Sequence, residues 1–121
     1  MATGTWPSPA PGKWELLWEN PSPSSQFAAG KVPLTIGTQD MVAIGFSTTN
    51  SGSNNFAGGL MFGRTGYTLS VTGVTGAPAQ RIRSGYIETD GITFSNGEEA
   101  GVTQNNALKP IVVYILKDAF A

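Results

Sequence analysis

The chain has 121 residues and a formal net charge of −1; 12% of its residues are charged and 40% hydrophobic, and sixteen Gly and eight Pro punctuate it. This length holds a single hydrophobic core, and abundant turn formers with about half the usual share of charge describe an all-β domain. Arg81 and Arg83 are the only close basic pair, so a nucleic-acid footprint is excluded. The absence of Cys and His removes disulfides, thiolate metal sites and imidazole-based nucleophile systems.

Residues 1–12 hold three Pro and two Gly without periodicity and read as an N-terminal arm. Trp6 is its one large apolar residue, a candidate assembly contact that docks either onto its own domain or onto a neighbouring subunit. The start has neither a basic nor an apolar signal region, and no stretch is long and apolar enough to insert in a membrane. Synthesis in the cytoplasm is expected, with no membrane insertion.

Residues 13–121 form the expected domain. Trp14, Leu16 and Trp18 alternate with Glu15, Leu17 and Glu19 in a first strand that Asn20-Pro21-Ser22-Pro23 ends. By period-2 alternation the Trp14-Leu16-Trp18 stripe lies on one face, either as a core stripe or as a sugar-stacking face, and the core reading is favoured because an exposed stripe would be an association hazard. Phe27 is expected to plug the turn after Pro23. Residues 30–36 make a second strand, placed at a sheet edge by Pro33. Residues 41–48 are nearly continuously apolar and read as buried.

Residues 50–59 read as loop. Strands follow at 60–63, 67–74 and 79–88, with short turns that imply hairpin neighbours. Asp90-Gly91 is a tight-turn signal leading into Ile92-Thr93-Phe94. Residues 98–108 are polar and read as loop, and residues 109–117 (KPIVVYILK) form an almost wholly apolar last strand. About eight short strands without a helical period, joined by connections too short for crossover helices, predict an antiparallel β-sandwich or jelly roll.

The only acid–base groups are Glu15, Glu19, Asp40, Glu88, Asp90, Glu98, Glu99 and Asp118, and none sits in a catalytic motif. No enzyme and no cofactor is expected. Asp90, Asn96, Glu98 and Glu99 lie close together, but their spacing matches no calcium loop and is better explained by turn geometry, so no metal site is expected. The polar loops at 47–59 and 95–108 are either recognition loops or ordinary solvated ones. Candidate receptor- or ligand-binding residues are Asn50, Asn54, Asn55 and Phe56 in the first loop, with the aromatic faces of Tyr67 and Tyr86.

The segment WELLWENPSPSSQFAAGKVPL, residues 14–34, carries a Trp-x-Leu-Leu-Trp-x-Asn-Pro-x-Pro opening followed by Phe27-Ala28. Near the other end ITFSNGEE, residues 92–99, is followed by Asn105-Asn106-Ala107-Leu108-Lys109-Pro110 and an apolar strand. Together these segments, about half of the chain, resemble small phage and prophage virion proteins of the tail-fibre or head-fibre, receptor-binding type. The resemblance implies a non-enzymatic jelly-roll subunit displayed on the exterior of a bacteriophage virion, in a fibre or at the baseplate, contributing to host attachment. It implies a homo-oligomer, with a trimer favoured, and other virion proteins and a host cell-surface glycan as partners. A carbohydrate-binding, lectin-like module is the alternative.

Overall fold

A computed structural model describes residues 13–47, 59–73 and 80–121. The expected arm with Trp6, and the loop with Asn50, Asn54, Asn55 and Phe56, lie outside the described residues. Among those described there is no helix, and ten strands occur in chain order: β1 Trp14–Glu19, β2 Gly30–Pro33, β3 Met41–Phe46, β4 Gly59–Gly63, β5 Thr68–Gly73, β6 Arg81–Glu88, β7 Gly91–Phe94, β8 Glu98–Glu99, β9 Val102–Thr103 and β10 Pro110–Leu116. All pairings are antiparallel. The first sheet runs β1-β10-β3-β4. In the second, β6 pairs with β5 along one side and with β7 and then β8 along the other, while β2 borders β7 and β9 borders β8.

The expected sandwich is therefore the observed fold, with two strands more than the eight expected. The additional pair, β8 and β9, forms in the stretch expected to be loop. The core lies between the sheets, where alternation brings Val42, Ile44, Phe46, Val113 and Ile115 of the first against Val32, Val71, Ile87, Ile92 and Phe94 of the second. Pro33 stands at the sheet edge, as expected, and Asp90-Gly91 joins β6 to β7.

Two local expectations fail. The turn at Arg64-Thr65-Gly66 does not make a hairpin: β4 belongs to the first sheet and β5 to the second. The chain changes sheets at Gly63, where a Cβ would lie 2.8 Å from Cδ1 of Ile87 and 3.1 Å from Leu69. Core side chains of the second sheet thus reach the backbone of β4, and a larger residue there would have to push the ends of Ile87 and Leu69 aside.

The Trp14-Leu16-Trp18 stripe is also broken. Leu16 pairs with Tyr114 but Trp18 pairs with Val113, so Leu17 is an extra residue opposite β10. Such a bulge reverses the alternation beyond it. Leu17 and Trp18 pack against the core, whereas Leu16 is 54% exposed on the outer face. Trp18 then leads an edge-to-face series through Phe27 to Phe94 and Phe46, with centroids 6.2, 5.6 and 6.4 Å apart. Phe27, expected to plug the turn after Pro23, packs against the core beside Trp18 and Phe94.

The C-terminal residues are latched to the loop before β3. The buried Asp40 carboxylate accepts from the backbone N–H of Gly37 at 2.7 Å and of Asp118 at 2.9 Å, with Lys117 Nζ 3.4 Å away. Phe120 N–H donates to Gln39, and the Arg64 guanidinium lies 4.0 Å over the Phe120 ring. Burial alone would raise the Asp40 pKa, but the Asp118 and Gly37 N–H groups and Lys117 outweigh it and hold the carboxyl below the usual value.

One side chain ties a whole end of the sandwich. Arg83, on β6, is completely buried and faces no carboxylate in its hydrogen bonding. Its Nε and Nη2 donate to Ala107 O at 3.2 and 2.9 Å, Nη1 to Phe27 O and Ser95 O at 2.8 Å each, and Nη2 to Asn105 O at 3.1 Å. These contacts match the five N–H groups of a guanidinium. Burial pushes its pKa down to about 10, so it remains charged at neutral pH. Beside it the buried Lys109 donates to Pro23 O at 2.6 Å, and Asn20 Nδ2 donates to Pro110 O at 2.9 Å.

Two outcomes are expected. Arg83→Lys keeps the charge but leaves several carbonyls unpaired, and should lower the unfolding free energy by about 3–5 kcal/mol in urea titration. Because the folded pKa of Asp40 lies below its unfolded value, its contribution is present above about pH 4 and lost as pH falls through the folded value. Asp40→Asn should therefore cost on the order of 1 kcal/mol at pH 7 and flatten the acid limb of a melting-temperature profile.

Candidate functional site

The two outer faces of the sandwich have opposite chemistry. In the first sheet the cross-strand row Leu16–Tyr114–Ala43–Phe62 points away from the core, because the neighbouring rows Val113–Ile44–Met61 and Ile115–Val42–Gly63 point into it. The same alternation places Trp14, Met41, Gly45, Leu60, Val112 and Leu116 outward. Glu19, opposite Val112 at the end of β1, belongs to the same outward set and is its one charged residue, and Ala43, Gly45 and Val112 are themselves buried. Phe62 is 53% exposed, and Trp14 and Leu60 are also exposed. The Trp14 and Phe62 rings meet with centroids 5.9 Å apart, beside a shallow groove of about 240 Å³ lined by Trp14, Ala43, Leu60, Phe62 and Tyr114. Scattered exposed apolar side chains are ordinary; a contiguous apolar sheet face marks an interaction surface.

The outer face of the second sheet carries hydroxyls and charges. Its central row is Lys31–Thr93–Tyr86–Thr68, flanked by Ser84 opposite Ser70 and by Ile82 opposite Thr72. Lys31 bridges Glu88 at 3.1 Å and Asp90, and Thr93 Oγ1 donates to Glu88 at 3.3 Å. The hydrogen bond to Asp90, then that to Glu88, raises the Lys31 pKa, and the same bond lowers that of Asp90. Tyr86 is 42% exposed within this row.

Tyr67 and Tyr86 do not form one platform. Tyr67 directly precedes β5 and its carbonyl accepts from Ile87 N–H, so it stands opposite a core residue, while Tyr86 stands opposite Thr68 and Thr93 on the outer face. Both are exposed, on opposite sides of the strand alternation. Asn50, Asn54, Asn55, Phe56 and Trp6 lie outside the described residues.

The second polar loop is held in place. Beyond β8 and β9, Asn105 and Ala107 present their carbonyls to Arg83, and the Asn105 side chain accepts from Gly97 N–H at 3.0 Å. A Cβ on Gly97 would lie 2.4 Å from Gln104 O and 2.6 Å from Arg83 Nη2, so glycine is required for this approach.

Among the described residues no group of three Asp or Glu side chains converges to hold a metal ion. Glu88 and Asp90 are engaged with Lys31, and Glu99 with Arg81 at 3.4 Å. No helix among them is long and apolar enough to cross a membrane. Comparison with protein-family models, with curated proteins and with solved structures finds no match to the chain.

Sequence reasoning missed Leu16, Leu60 and Phe62 as surface residues, although a signal was present. GLMFG in β4 and PIVVYIL in β10 are apolar at odd and even positions alike, the pattern of strands covered on both faces. The second sheet covers one of those faces. On the other, Val112 is buried and Leu60 and Phe62 stay exposed.

Proposed function

We propose that this chain is a non-enzymatic structural subunit of the exterior of a bacteriophage virion, in a tail fibre, a head fibre or the baseplate. In this reading it turns one sheet face into the assembly and the other outward, where it contributes to host attachment. The observation that carries the reading is the chemical division of the two outer faces: a largely apolar face on β1-β10-β3-β4, with Glu19 its one charge, and a face of hydroxyls and ion pairs on β2, β5, β6 and β7. A subunit buried on one side in a larger body needs this division; a freely soluble binding domain does not. The low charge of the chain and the resemblance of its two ends to virion proteins point the same way.

A carbohydrate-binding reading is favoured by one feature, the exposed Tyr86 ring set among Thr68, Thr93, Ser70 and Ser84. An aromatic face with neighbouring hydroxyls suits a sugar ring. It is compatible with the first reading, since a virion protein that attaches to a host meets surface glycans.

Antibodies raised against the chain should decorate intact phage particles in negative-stain electron microscopy; particles that contain the chain only in their interior, or not at all, would contradict the proposal. On a glycan array, binding should weaken at least ~10-fold in Tyr86→Ala and persist in Tyr67→Ala. Equal behaviour of the two variants would remove the carbohydrate reading.

A further inference from the structure

We propose that the proline-rich residues 6–11, Trp6-Pro7-Ser8-Pro9-Ala10-Pro11, fold back onto the outer face of the first sheet of their own chain and dock in its aromatic groove. The inference concerns the free chain and does not depend on the virion reading. The groove, of about 240 Å³, is lined by Trp14, Ala43, Leu60, Phe62 and Tyr114. Trp14 on β1 and Phe62 on β4 are separated by the two strands β10 and β3, yet their ring centroids are 5.9 Å apart. Neighbouring strands about 4.8 Å apart put β1 and β4 about 14 Å from each other, so the two rings lean together above the strands between them. Ala43, on one of those strands, is buried as a result. Glu19, the one charge of this face, is not among the lining residues.

Chemistry, position and length select this segment. Grooves walled by aromatic side chains receive proline-rich stretches, whose rings stack on the walls and whose polyproline conformation is stiff before it binds. Three of the six residues are Pro, one is Trp and none is charged, to match an uncharged lining. Among the segments outside the described residues no other joins Pro to an aromatic side chain: residues 48–58 hold Phe56 without Pro, and residues 74–79 hold Pro78 without an aromatic. The described residues begin at Lys13, next to Trp14, which itself lines the groove. Gly12 supplies the backbone freedom that a change of direction requires at that junction. Six residues in the polyproline conformation extend about 19 Å at about 3.1 Å each, enough to cross the about 14 Å from β1 to β4 and to bring Trp6 to Leu60 and Phe62.

A tethered segment also needs little contact area. A separate polypeptide arriving from solution requires an interface of roughly 1,200 Å², more than this groove offers. A segment joined to its site by one or two residues acts at an effective concentration in the millimolar range, so a contact of millimolar affinity keeps it docked for about half of the time. The burial of one indole ring with the adjoining prolines meets that modest requirement. Docking removes Trp14, Leu60 and Phe62 from water in the free chain, where an exposed apolar patch would invite aggregation. Leu16 lies outside the groove and stays exposed for contacts in an assembly.

The test is paramagnetic relaxation in the full chain. The sequence has no Cys, so Thr3→Cys accepts a single nitroxide label ahead of the docking segment. In the isotope-labelled, spin-labelled chain the amide signals of Leu60 and Phe62, on the strand farthest from the point where the segment joins the sheet, should lose most of their intensity. Those of Thr93 and Tyr86, on the opposite outer face, should keep theirs. Adding Trp6→Ala, or separately Phe62→Glu at a position that is already exposed, should restore the Leu60 signal with circular dichroism unchanged. If Phe62→Glu fails to fold, Trp6→Ala decides the matter. In a mixture of spin-labelled chain without isotope and isotope-labelled chain without nitroxide, the signals should be unaffected. Intensity at Leu60 and Phe62 that the label leaves intact, or a loss equal on the two faces, overturns the inference, and so does a loss that survives Trp6→Ala. Broadening in the mixed sample means that a neighbouring copy supplies the segment and overturns the assignment to the same chain.

Discussion

The described structure depends on how a buried cation is accommodated. Arg83 lies in the interior of a domain whose carboxylates are all elsewhere, and its charge is met by backbone carbonyls of Phe27, Ser95, Asn105 and Ala107. Guanidinium suits this position, being less strongly hydrated than ammonium and presenting a planar fork of donors. The carbonyls come from three separate connections: the one between β1 and β2, the one after β7, and the one before β10. Each would otherwise be a loop with buried oxygens lacking donors. One side chain therefore sets the path of three segments far apart in sequence, and Gly97 and the left-handed Leu108, at φ 50°, follow from the same constraint. Because Leu108 is buried, its side chain helps to hold a backbone conformation that branched and bulky residues avoid.

With that end fixed, the sheets present two unlike surfaces. The strands β3, β4 and β10 are apolar on both sides; the second sheet covers the inner side, and on the outer side of this sheet Ala43 and Val112 are buried while Leu16, Leu60 and Phe62 stay exposed. The hydrophobic free energy that holds the sandwich also operates on these exposed outer residues, at about 25 cal/mol per Å², and favours their burial too. The hydroxyl-rich face has no comparable tendency and is suited to water and to polar ligands. Fold and proposed function thus share a cause, namely strands that are apolar on both sides while part of the outer side, at Leu16, Leu60 and Phe62, stays exposed.

Much of the fold was legible in the sequence because it depends on local signals. Period-2 alternation, Pro33 at an edge, Asp90-Gly91 at a hairpin and the continuous apolar run of residues 41–46 all act within a few residues. What was not legible depends on partners distant in sequence. The Leu17 bulge is a matter of register against β10, and nothing in WELLWE shows it. The change of sheet at Gly63 depends on Ile87 and Leu69. Arg83 read as half of a basic pair, since its five carbonyl contacts lie 12 to 56 residues away along the chain. For the candidate site, Tyr86 was found as a surface aromatic but Tyr67 proved to face the other way, and the exposed row ending in Phe62 was hidden by the assumption that apolar strand residues belong to the core.

The most direct measurement of this account is the nuclear magnetic resonance signature of the Arg83 side chain. A guanidinium locked onto four backbone carbonyls should show resolved, non-averaged Nη signals, and an Nε–H that exchanges with solvent as slowly as the most protected amides of β3 and β10. A single averaged Nη signal with rapid exchange would mean that the side chain is mobile and hydrated, and would contradict the claim that it organises this end of the sandwich.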